Sequence, residues 1–151
     1  QEGMVLDEFM FEDPMRTLEL NPSEVNRLRN MAERVILGKL SVSKLLENRP
    51  QPPADGRRAT VPPSVAFDSE ASEGATLIQI VAGDRPGLLY ELASAISAEG
   101  CDIGVVLVDT EANKAVDVFY VTAGGGKLPP SLEERLAGAL RKICGTGHGG
   151  D

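Results

Sequence analysis

Downstream of residue 62 the hydrophobic positions switch repeatedly between a period of two and a period of 3.6. Pro63 to Ser69 alternates Val65 and Phe67 with small or polar neighbours, and Ala75 to Ala82 is β-branched and apolar; both predict strands. Asp84-Arg85-Pro86-Gly87 interrupts the pattern. Leu89, Leu92, Ala93 and Ile96 then share one face of a helix predicted over Leu88 to Ala98, and Gly100 supplies the left-handed residue that ends such a helix. Asp102 to Val108 predicts a strand that is apolar on both faces, Glu111 to Lys114 a turn, and Ala115 to Thr122 a returning antiparallel strand. After Gly124-Gly125-Gly126, Ser131 and Glu134 have the spacing of a capping box. Leu132, Leu136, Leu140 and Ile143 line the helix that follows.

The order strand, strand, helix, strand, strand, helix has one compact solution. It is an α+β, ferredoxin-like sandwich: a four-stranded antiparallel sheet with both helices on one face. Nothing strand-like follows Cys144, so the fourth strand is expected to come from before the first. The N-terminal stretch echoes the C-terminal one. Val5 to Phe11 parallels Ala115 to Val121, with Asp7 and Phe9 matching Asp117 and Phe119. Asn21-Pro22-Ser23-Glu24 reads as a capping box with proline at the first helical position, opening a helix that carries Leu28, Met31, Val35 and Ile36. Residues 1–48 therefore read as the strand-plus-helix half of an upstream unit. A single strand and helix cannot cover their own apolar faces, so a partner is expected, in cis or from another chain. Clustered prolines predict an extended linker over 49–61, followed by a complete domain over 62–144 and a disordered tail over 145–151.

Composition removes several function classes. A chain of 151 residues, 42% hydrophobic and 25% charged, describes a small globular domain with an attached piece. A net charge of −8 and an aromatic content of 4% without tryptophan argue against a nucleic-acid surface. No apolar run is long enough for a membrane span, no signal peptide opens the chain, and a cytoplasmic location is expected. Two cysteines and one histidine exclude a cysteine-rich zinc module, and no metal or cofactor is expected. His148 lies on the predicted tail, where a catalytic base cannot be held in position. Gly124-Gly125-Gly126-Lys127 lacks the first glycine of a phosphate loop, which Val121 replaces, and has Leu128 where a hydroxyl residue should follow the lysine. Cys101 and Cys144 have no histidine nearby to activate them. The chain by itself is expected not to be an enzyme.

Three segments together carry a resemblance. Ala82-Gly83-Asp84-Arg85-Pro86-Gly87-Leu88-Leu89-Tyr90-Glu91-Leu92, then Cys101-Asp102-Ile103, then Ala115 to Thr122 resemble the ACT domain family. More narrowly, they resemble the C-terminal tandem ACT region of the bacterial protein-PII uridylyltransferase/uridylyl-removing enzymes. Ser64 to Gly74 resembles the strand that leads into that region's second unit, and Val5 to Phe9 with Asp13-Pro14 resembles the closing half of its first. The resemblance extends to Cys144. It implies a regulatory module that senses an amino acid, glutamine in this family. It also implies homodimeric or ACT–ACT pairing, and PII protein as the partner of catalytic domains lying upstream. Position within the family would place Asp102 and Ile103 against the ligand.

The residues of the turn make that implication chemically coherent. Gly87 has no Cβ and lets the backbone approach a ligand, while Pro86 sets the entry angle into the helix. The N–H groups of Leu88, Leu89 and Tyr90 leave the positive end of the helix and suit a carboxylate. Asp84 suits the α-ammonium of the same molecule. The candidate ligand-binding set is therefore Asp84, Arg85, Pro86, Gly87, Leu88, Leu89, Asp102 and Ile103. The same turn admits a plainer reading, in which Asp84 caps the helix, Arg85 is solvated, and the module binds no ligand but dimerises or docks. Val105 to Val108 likewise reads as a strand covered by a partner sheet or as plain β-propensity, with the partner favoured.

Overall fold

Alternation along two central strands decides which side of the sheet becomes the core. Thr76, Ile78, Ile80 and Ala82 of β2 (Thr76–Gly83) are buried, as are Ala115, Asp117, Phe119 and Val121 of β4 (Lys114–Thr122). The residues between them face the other way. The computed structural model describes residues 6–49 and 61–145, so the predicted linker and tail, apart from their bordering residues, lie outside it. The remaining strands are β1 (Ser64–Asp68) and β3 (Asp102–Glu111), and the sheet is antiparallel throughout in the order β1-β2-β4-β3. β1 pairs with the outer side of β2, Val65 opposite Ile80, so the fourth strand does come from before the first. A ferredoxin-like sheet results.

Helix α4 (Leu88–Ala98) buries Leu88, Leu92 and Ile96, and α5 (Pro130–Gly145) buries Leu132, Leu136, Ala137, Leu140 and Cys144. Those side chains join the inward residues of β2 and β4 in one cluster centred on Phe119, Ile78, Leu92 and Leu136. Gly100, with φ +76°, ends α4 where the sequence predicts. The cap of α5 differs from the expectation. Pro130 opens the helix, so Ser131 sits inside it, and the Leu132 and Glu133 N–H groups donate to the Pro129 carbonyl at 2.9 and 3.1 Å. The Glu133 carboxylate instead accepts from Ser69 Oγ at 3.0 Å.

The chain divides near Pro50, and the N-terminal unit is described separately. It holds α1 (Thr17–Leu20), α2 (Pro22–Ile36) and α3 (Val42–Glu47), none with a buried residue. Asn21 caps α2 by accepting from Ser23 N at 3.2 Å, with Pro22 in the first helical position. Glu24 faces Arg27 at 3.5 Å and so does not complete a capping box. The strand predicted over 5–11 is not formed in its described residues. Leu6 to Phe11 carry no regular structure, and Leu6, Phe9, Met10 and Phe11 are exposed. A lone strand has its ladder groups unpaired, and among the described residues of this unit there is no neighbouring strand to receive them.

Candidate functional site

β2 ends at Gly83, and Asp84 to Gly87 carry the chain into α4. The Asp84 N–H donates to the Asn113 carbonyl at 2.8 Å, which ties the turn to the β3–β4 hairpin. Gly87 is the N-cap residue and lies at φ +86°, a conformation that costs any residue with a Cβ. No side chain caps α4. Gly87, not Asp84, is the N-cap residue, and the exposed Asp84 carboxylate makes no capping hydrogen bond to the helix. Of the first three N–H groups, that of Leu88 is taken by the Arg85 carbonyl at 3.2 Å. Leu89 and Tyr90 follow it at the positive end of the helix.

Arg85 is not a solvated cation. Its guanidinium grips the Glu91 carboxylate through two bonds of 2.8 and 2.6 Å and reaches the Ile143 carbonyl of α5 at 3.3 Å. The Glu91 contact raises the Arg85 pKa, and the same contact lowers that of Glu91. Arg85 thus fastens the turn to both helices, and its charge is committed. Pro86 and Gly87 are half-buried backbone formers. The Leu88 side chain points into the core and is 3% exposed, and its N–H is already taken by Arg85, so Leu88 keeps no free donor for a ligand, whereas Leu89 is exposed.

Two predicted residues are not brought to the turn. Asp102 pairs with Thr122 and Ile103 with Val121, at the end of β4 remote from the turn. The turn adjoins the opposite end, where Ala82 pairs with Ala115 and Gly83 with Lys114. Six residues of β4 separate the two levels, roughly 20 Å at about 3.4 Å per residue. Within one chain, Asp102 and Ile103 cannot touch a ligand held at Gly87.

Asp117 does lie near the turn, and sequence reasoning passed over it. It pairs with Ile80 on one side and Val108 on the other, two residues along β4 from Ala115. It is 2% exposed, and its Oδ1 has no hydrogen-bond partner, the only such buried side-chain atom among the described residues. Burial, and then the charge of Asp84, push its pKa up to about 6. The signal was present in the alternation: counting in twos from Ala115 to Val121 puts an acid on the core face.

Curated proteins similar to this chain are bifunctional uridylyltransferase/uridylyl-removing enzymes. That of Azospirillum brasilense is 36% identical over 137 residues, covering 89% of this chain and 15% of that protein. That of Gluconobacter oxydans (strain 621H) is 34% identical over 122 residues, covering 80% and 13%. That of Bradyrhizobium sp. (strain ORS 278) is 33% identical over 147 residues, covering 96% and 16%. The chain therefore corresponds to a region of these enzymes and spans 13 to 16% of their length. No family model matches it.

Other candidate chemistry falls away on geometry. Gly124 and Gly125, at φ +59° and +81°, form a tight turn closed by the Ala123–Gly126 bridge, and Lys127 donates to the Ser69 carbonyl. Cys101 and Cys144 are buried, and burial raises both thiol pKa values. Neither has the lowered pKa a nucleophile needs. A groove of about 510 Å³ on the N-terminal unit is lined by Arg27, Arg34, Met31 and neighbours, but no carboxylate among its lining residues could receive an amine.

Proposed function

We propose that this chain is a regulatory, amino-acid-sensing module of ACT type, glutamine-responsive, from a PII uridylyltransferase-like enzyme. The observation that carries this reading is the turn itself: a helix that no side chain caps, a left-handed glycine in front of it, and an exposed carboxylate that is not a cap. The ligand's carboxylate lies against the Leu89 and Tyr90 N–H groups, and its ammonium faces Asp84. Similarity to a region of bifunctional uridylyltransferase/uridylyl-removing enzymes supports the reading. An effector held here acts on the parent protein by binding one arrangement of its paired units more tightly than another, and so sets the balance between uridylylation of PII and its reversal.

A second reading rests on a different observation. Val105, Val106, Leu107 and Val108 are 48, 37, 56 and 53% exposed on an edge strand, an apolar surface suited to pairing with another chain or another unit. In that reading the module dimerises or docks without a ligand. Calorimetric titration with glutamine separates the two. The sensor reading predicts saturable heat that Asp84→Ala weakens at least tenfold while leaving the oligomeric mass unchanged. An absence of heat with glutamine and every other amino acid, alongside association that Leu107→Lys disrupts, would leave the docking module.

A further inference from the structure

Among the described residues, Asp117 Oδ1 is the one buried side-chain polar atom without a hydrogen-bond partner. Every other inward position of β2 and β4 is apolar except Thr76, whose Oγ1 accepts from Leu128 N at 3.0 Å. A carboxylate buried without a donor costs free energy, and a proton, a cation or an incoming hydrogen-bond donor offsets that cost. We propose that Asp117 is a ligand-binding residue that, with Asp84, receives the ammonium group of an amino acid held at the turn before α4. The proposal rests on the amino-acid reading above and adds the residue that binds the cationic half.

The surroundings of Asp117 fit this role. Asp84, on the turn, is exposed and close enough for its charge to disfavour ionisation of Asp117, so an entering cation meets Asp84 first and comes to rest between two acids. Arg85, on the same turn, is held by Glu91 and is not the counter-ion. From α5 the group that interacts with it is Cys144, a buried thiol whose own pKa is raised by burial and, in part, by Asp117. From β2 and β3 the paired residues, Ile80 and Val108, bring no charge. No cation among these neighbours neutralises Asp117, while an ammonium adjacent to both carboxylates neutralises one and relieves their repulsion. Binding then requires the ionised form, so affinity rises with pH through about 6.

The test uses the full chain. Glutamine affinity is measured by calorimetry from pH 5 to 7.5 for the wild type and Asp117→Asn, with circular dichroism to confirm that the variant folds. In parallel, the carboxyl signal of Asp117 in the wild type is followed by NMR as methylammonium is added. The expected result is an affinity about tenfold lower at pH 5 than at pH 7.5, a weaker and pH-independent affinity in Asp117→Asn, and a methylammonium-dependent shift of the Asp117 signal. Glutamine binding that is equal in both proteins at every pH overturns the role of Asp117 and leaves the amino-acid reading standing. A methylammonium response at Asp117 without binding of any amino acid keeps the cation site and overturns that reading. No response to either probe overturns both.

Discussion

Asp117 shows how a single misplaced charge shapes a small domain. Folding moves its pKa from the ordinary carboxylate range up to about 6, so between pH 4 and 6 the folded chain keeps a proton that the unfolded chain has lost. Its contribution to stability is therefore fullest below about pH 4 and is lost as pH rises through 6, by about 3 kcal/mol at most. Asp117→Asn removes that dependence. Urea unfolding should show the variant gaining on the wild type by about 2 kcal/mol between pH 4.5 and pH 7.5, and a constant gap would mean Asp117 ionises normally in the fold. At this scale the sequence was partly legible. Gly87 and Gly100 were readable because only a glycine adopts those backbone angles cheaply, and both have positive φ. Asp117 was readable by parity but was absorbed into a strand pattern. The role of Arg85 was not readable, since nothing local announces an ion pair with Glu91. Burial of Leu88 was readable from its spacing to Leu92 and Ile96, but Leu89, which is exposed, was expected on that face instead.

Elements were more legible than contacts, because periodicity records which face an element buries. Helix α4 matches its predicted bounds, and β1 and β2 match theirs to within a residue or so. β3 continues to Glu111, beyond the predicted Val108, and a register shift at Gly104 turns Val105 onto the face of Tyr120. In the described residues 6–11 the expected strand is absent for a different reason: apolar alternation states a preference, and a strand also needs a neighbour. The half-unit reading of the N-terminal residues remains a proposal. Burial separates two leucines of similar chemistry. Leu136→Ala, at 0% exposure, should lower stability by about 2–5 kcal/mol, whereas Leu107→Ala, at 56%, should change it by less than about 0.5 kcal/mol. Chemical denaturation of both variants checks this, and a comparable loss at Leu107 would mean that the edge strand is covered in solution.

At the scale of the molecule, the ferredoxin-like topology followed from element order alone, including the unusual origin of the fourth strand in β1. The site did not follow in full. Asp102 and Ile103 were assigned by family position, and antiparallel pairing puts them at the far end of the sheet from Gly87. Family resemblance locates residues along a chain, but it does not say which chain of an assembly supplies them. The two units also differ in what holds them. Residues 61–145 contain a continuous core, whereas no described residue of the N-terminal unit is buried. A fragment of residues 61–151 should unfold cooperatively on heating, and one of residues 1–50 should not; a sharp transition in the shorter fragment would contradict this.

An amino acid bound at the turn before α4 stabilises the folded chain against heat. The direct measurement is the thermal unfolding midpoint of the chain against each of the twenty amino acids at rising concentration. A ligand at about 100 times its dissociation constant adds about 2.7 kcal/mol, several degrees for a chain of this size. A saturable rise with glutamine that Asp84→Ala diminishes is expected. A midpoint unmoved by glutamine and by every other amino acid would contradict it.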